Sequence, residues 1–137
     1  MDAKITFSIQ YKYDTLKIGV TVPVTLRLNG DMVDFEAKVD TGAENCIFEK
    51  IHGERLGLII ESGREQMFST AAGIFTAYGH ELTVSILGIE TISTVYFAKE
   101  EFYTRNVLGR QGWLDRVKLG LIDYEGKLFL SEYNEIR

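Results

Sequence analysis

Along residues 35–40, Phe35, Ala37 and Val39 alternate with Glu36, Lys38 and Asp40, the period-two pattern of a strand with one buried and one polar face. Similar short runs, punctuated by turn residues, fill most of the chain. Residues 5–13 and 16–28 read as strands, with the sole proline, Pro23, at an edge or strand start where no ladder donor is lost. Asn29-Gly30 is the strongest hairpin signal and joins residues 24–28 to the strand 32–39. Residues 48–56 predict a short helix or turn that stops at Gly57. Residues 66–80 predict two arms around small residues at a hairpin tip, and 81–87 with 91–97 a second hairpin around Gly88. Val107-Leu108-Gly109 reads as a buried strand end, and residues 110–116 as one or two helical turns with Trp113 and Leu114 packed inward. Residues 118–123 and 127–130 flank Tyr124-Glu125-Gly126 as a terminal hairpin. Many short strands with scarcely any helix predict an all-β fold, a closed or partly closed β-barrel with one short C-terminal helix.

Composition narrows the class without choosing a function. The 137 residues suit a single domain spanning 1–137 with a real core. With 45% apolar and 26% charged residues, the composition is ordinary for a globular chain and argues against disorder. A net charge of −5 and the absence of a lysine or arginine cluster speak against nucleic-acid binding. Met1-Asp2-Ala3-Lys4 leads into a polar-interrupted pattern and no apolar run approaches membrane-spanning length, so a cytoplasmic location with no membrane partner is expected. A lone cysteine, Cys46, forms no intramolecular disulfide, fits a reducing compartment and reads as a small buried hydrophobe. His52 and His80 lack zinc spacing with Cys46, and no phosphate-binding glycine loop is present, so neither a metal nor a cofactor is expected.

The candidate chemistry lies at Asp40-Thr41-Gly42-Ala43, a carboxylate leaving the polar side of a strand into a tight turn. Gly42 is expected to supply backbone angles closed to other residues, and Thr41 a hydroxyl for nearby or partner backbone. Taken alone, these residues are ordinary turn chemistry. A second landmark follows at Asn106-Val107-Leu108-Gly109-Arg110, an apolar pair followed by glycine and arginine. Together the two segments resemble the retropepsin family, the retroviral-type aspartic proteases and their single-domain microbial relatives, over residues 20–131.

The resemblance implies a retropepsin-like barrel whose hairpin at 66–80 is a substrate-covering flap, with Ala72, Gly73 and Ile74 at its tip. It also implies that Thr41 bonds across a dimer, that Gly42 presents its carbonyl to substrate, and that Arg110 reaches Glu44 to brace the turn of Asp40 to Ala43. Peptide hydrolysis without a metal or nucleophile needs one carboxylate to take a proton from water and another to donate one. Asp2, Asp14, Asp31, Asp34, Asp115 and Asp123 stand in no second Asp-Thr/Ser-Gly context, so the second carboxylate must come from another chain. The expectation is a homodimeric aspartic endopeptidase acting on a peptide or protein, with catalytic Asp40 from each chain. The alternative is a noncatalytic peptide-binding or dimerisation module on the same fold, in which an intact Asp-Thr-Gly-Ala would have no reason to persist.

Overall fold

The computed structural model describes residues 1–71 and 73–135, which form ten strands, one α-helix and three short 3-10 turns. Strand β2 (Thr21–Leu28) turns through Asn29-Gly30 into β3 (Asp31–Val39). Both turn residues have positive φ, 51° and 86°, as a two-residue hairpin that matches strand twist requires. Strand β4 (Ile47–Phe48) precedes helix α1 (Lys50–Arg55). Next come β5 (Arg64–Thr70), the long β6 (Gly73–Ile86) and β7 (Ile89–Ala98), then β8 (Val107–Leu108), β9 (Val117–Ile122) and β10 (Lys127–Glu132).

Seven strands form one sheet in the order β2-β3-β8-β4-β7-β6-β5, and β2 also pairs with β6. That last pairing, Thr25 to Arg27 against Ser85 to Thr83, closes six of the strands into a ring and leaves β5 outside it. Pro23 lies beyond this short stretch, where β2 has β3 as its one neighbour. The second sheet, β1-β10-β9, starts with β1 (Ile9–Lys12). Val22, Val24, Leu26, Val84, Val95, Phe97, Leu108, Trp113, Leu128 and Leu130 fill a common core. Burying each large apolar side chain is worth about 1.5–3 kcal/mol relative to leaving it exposed. No helix of the described residues is long and apolar enough to cross a membrane.

The all-β architecture and the Gly88 and terminal hairpins agree with the sequence pattern, while three elements differ. The first strand stops at Lys12 and the second begins at Thr21. The β1 ladder reaches the end of its partner at Lys127, and Tyr13 N–H makes a final bond to Gly126 O. Leu16 and Ile18, 94% and 87% exposed, have no sheet to cover them. The helix expected at 48–56 is confined to Lys50–Arg55, because Ile47 and Phe48 pair with Tyr96 and Phe97 of β7. It stops at Gly57, φ +78°, as expected. The C-terminal helix expected at 110–116 is instead a single 3-10 turn, Leu114–Arg116. Gln111 is held in a bridge to Asn45 and Gly112 takes φ +99°, both incompatible with a helix starting at Arg110.

Candidate active site

Strand β8 is inserted between β3 and β4, two strands that are neighbours in sequence but not in the sheet. It runs parallel to β3, Val107 beside Lys38 and Leu108 beside Val39, and antiparallel to β4 through Val107 and Ile47. The turn that connects β3 to β4 must therefore pass over the end of β8. Residues 40–45 are that turn, and the chain after β8 binds it from below. Asp40 N–H donates to Leu108 O at 3.0 Å, Arg110 N–H to Ala43 O at 2.9 Å and Gln111 N–H to Glu44 O at 2.8 Å.

Within the turn, Ala43 N–H donates to Asp40 O at 3.1 Å, and Gly42 N–H donates to Asp40 Oδ1 at 2.9 Å. The carboxylate is half-buried. One oxygen is oriented by its own turn, and Oδ2 has no hydrogen-bond partner among the described residues. The role expected of Gly42 needs correction: its φ is not in the left-handed region. A Cβ there would lie 3.3 Å from Asp40 Oδ1, so glycine serves to make room for the carboxylate. Thr41 is exposed and its hydroxyl has no hydrogen-bond partner among the described residues.

Glu44 and Arg110 approach to 3.8 Å, with side chains 67% and 66% exposed. That separation exceeds hydrogen-bond range, and an ion pair so open to water contributes little. Within one chain, the backbone bonds from Arg110 and Gln111 hold the turn far more firmly than this pair does. Gly109 is where that close approach is made. A Cβ at this position would collide with Asn45 O, with Asn45 C at 2.6 Å and Ala43 O at 2.7 Å.

Asp40, Gly42, Ala43 and Glu44 line one side of a cleft of about 460 Å³. Its opposite side is the β5–β6 hairpin, through residues 66–70 and Phe75, and its end wall is Tyr103, Arg105 and Val107. Residues 73–76 of β6 lie beyond the end of the β7 ladder at Ala77 and pair with β5, so the hairpin tip projects past the barrel wall. Gly73, φ +125°, closes the tip opposite Thr70, and Ile74 is exposed beside it. The third tip position, Ala72, lies outside the described residues.

An aromatic series supports this roof. Tyr96 meets Phe68 edge-on at 5.2 Å, Phe68 stacks on Phe75 at 5.5 Å, and Phe75 meets Tyr103 at 4.8 Å. Burial, opposed by the Arg105 guanidinium and reinforced by the Asp40 and Glu49 carboxylates, pushes the Tyr103 phenol up to about 12. The phenol thus stays protonated, a neutral neighbour of Asp40. Asn106, the first residue of the second landmark, exchanges two bonds with Glu49: Glu49 N–H to Asn106 Oδ1 at 2.9 Å, and Asn106 Nδ2 to Glu49 Oε1 at 2.7 Å. The start of β8 is thereby fixed to the start of α1.

Phe68, Phe75, Tyr103 and Arg105 were not singled out by the sequence pattern. The signal that could have found the end wall is Phe102-Tyr103, two aromatic residues next to the charged run Lys99-Glu100-Glu101, which the sequence reading did not use. Cys46 is buried, as its context predicted, and desolvation pushes its thiol up to about 11, which suits an inert core residue. No cluster of three metal-ligating side chains occurs among the described residues. No protein-family model matches the chain, and no curated protein matches it.

Proposed function

We propose that this chain is a retropepsin-like aspartic endopeptidase that works as a homodimer, with one Asp40 from each chain in a shared site. The observation that carries the reading is a carboxylate oriented by its own glycine turn, lining an open cleft beneath a projecting hairpin. The cleft of one chain holds a single aspartate, and its other carboxylate, Glu44, lies beside Arg110. Paired acid and base catalysis therefore calls for a second copy.

In the dimer, two close carboxylates share one proton, since both cannot ionise cheaply. The ionised Asp40 takes a proton from water as its oxygen attacks the scissile carbonyl carbon, and the protonated partner donates to the carbonyl oxygen. Collapse of the tetrahedral intermediate returns a proton to the nitrogen and breaks the C–N bond. The substrate lies extended between turn and flap as an added strand. Thr41 spans the two chains beneath the dyad, and Gly73 and Ile74 cover the peptide.

The test is a mixing experiment. Under exchanging conditions, activity should fall as the square of the wild-type fraction when Asp40→Asn protein is added, because mixed dimers hold one titrating carboxylate. Linear loss would place the whole site in one chain. Activity should be bell-shaped on the acid side of neutrality, since hydrolysis needs one carboxylate charged and one protonated. Peptide binding that Asp40→Asn leaves intact, with no cleavage by wild type at any pH, would favour the noncatalytic module.

A further inference from the structure

Two clefts meet beneath the hairpin. The first, about 460 Å³, contains Asp40; the second, about 210 Å³, runs under the tip along Gly73, Ile74, Phe102 and Thr104. Their shared wall is Thr70, Phe75, Tyr103 and Arg105. Among the described residues, Arg105 is the one cationic side chain in either lining. It is exposed and forms no ion pair among the described residues, unlike Arg110, which has Glu44, or Arg27, which has Glu90.

The flanking walls are aromatic and small, so nothing in the lining neutralises the guanidinium where the clefts join. The two carboxylates, Asp40 and Glu44, belong to the turn side of the larger cleft, and the smaller one holds no acidic residue. A planar guanidinium presents paired donors that match a carboxylate, and a peptide filling the two clefts would shield that bond from water and so strengthen it. The loop carrying it is fixed at one end by the Asn106–Glu49 exchange and at its middle by the Tyr103–Phe75 contact, so the charge is held against the cleft by structure on both sides.

We propose that Arg105 is a specificity-determining residue that selects substrates presenting a carboxylate near the scissile bond. This inference rests on the reading of Asp40 as the catalytic group. Two sources supply the same chemistry, a glutamate or aspartate side chain within the peptide and the free C-terminus of a short one.

The test uses four matched peptides, with Glu or Gln flanking the cleavage point and with an amidated or a free C-terminus, and a fifth, amidated, with Lys in the same place. Wild type should cleave the amidated Glu peptide with kcat/KM on the order of 10- to 100-fold above its Gln counterpart, the ratio expected for one charge-assisted hydrogen bond. If the C-terminus is the source, the free-acid Gln peptide gains that ratio over its amide instead. Arg105→Ala should bring the ratio to about one, Arg105→Lys should keep part of it, and Arg105→Glu should invert it in favour of a Lys peptide. Cleavage by wild type with ratios near one in both arms, or ratios unchanged in Arg105→Ala, overturns the inference and leaves the protease reading standing. Failure of wild type to cleave any peptide overturns both, a distinguishable result.

Discussion

Replacing Gly109 by alanine should damage the site more than any change at the surface around it. The added methyl would meet Asn45 O, with Asn45 C and Ala43 O at 2.6 and 2.7 Å. All three are backbone atoms, which cannot swing aside as a side-chain terminus can. Overpacking of this kind costs about 1–3 kcal/mol. Relief requires the two segments to part, which strains the bonds from Arg110 N–H to Ala43 O and from Gln111 N–H to Glu44 O, each worth about 1 kcal/mol. With both bonds lost the sum is about 3–5 kcal/mol, a large share of the roughly 5–15 kcal/mol that stabilises a domain. Urea unfolding at fixed protein concentration measures it, with fluorescence of the single tryptophan, Trp113, buried four residues along the chain, as the probe. Gly30→Ala is the control: nothing lies within 4 Å there, and φ +86° alone penalises the change, by about 1–2 kcal/mol. A Gly109→Ala loss no larger than that of Gly30→Ala would refute the argument that the turn and the strand after β8 are packed backbone to backbone.

Thr41→Ala should weaken the dimer by about 2 kcal/mol, one cross-chain hydrogen bond of about 1 kcal/mol from each subunit; an unchanged monomer–dimer constant in sedimentation would exclude that role. Glu44→Ala and Arg110→Ala should couple by less than about 1 kcal/mol in a double-mutant cycle on stability, given their exposure, and a larger coupling would mean that the pair is shielded in the dimer. His52 is buried against Phe35 at 3.9 Å and neither ring nitrogen has a hydrogen-bond partner among the described residues. Burial lowers its pKa, against the pull of Glu49, so the unfolded chain binds the proton more readily and stability should fall as pH drops through about 6.5. His52→Phe should flatten that acid limb in pH-dependent thermal melts, and an unaltered limb would assign it to other groups.

What could be read from the sequence follows how locally each feature is determined. The Asn29-Gly30 turn was legible because two adjacent residues set its dihedral angles, and the strand leading to Asp40 because one buried face imposes alternation on the residues from Phe35 to Val39. Strand β8 was legible as a strand end at Val107-Leu108-Gly109, but its place between β3 and β4 was not; β4, equally short, carries no periodicity and exists through pairing with chain far away. The helix expected after Arg110 failed for the same reason, since a bridge from Gln111 to Asn45 outweighs local propensity. At the candidate site, Asp40 and the hairpin beyond it were visible as motifs, whereas the end wall of Tyr103 and Arg105 depends on where an irregular loop comes to rest. Gly42 was noticed for the wrong reason: its small size matters, not its dihedral freedom.

The insertion of β8 between β3 and β4 also sets an order of events during synthesis. As the chain emerges from the ribosome, Asp40 appears early, but the strand that belongs beside β3 and the residues that hold the turn, Leu108 to Gln111, come only after the whole β5–β7 meander. Until then the segment around Asp40 has nothing to close against, and pairing across so long a loop is among the slower steps of folding. An unfinished chain thus carries the carboxylate without the geometry that aims it. Under the protease reading proposed above, such a chain is silent while nascent, when neighbouring unfolded polypeptide is most vulnerable to cleavage.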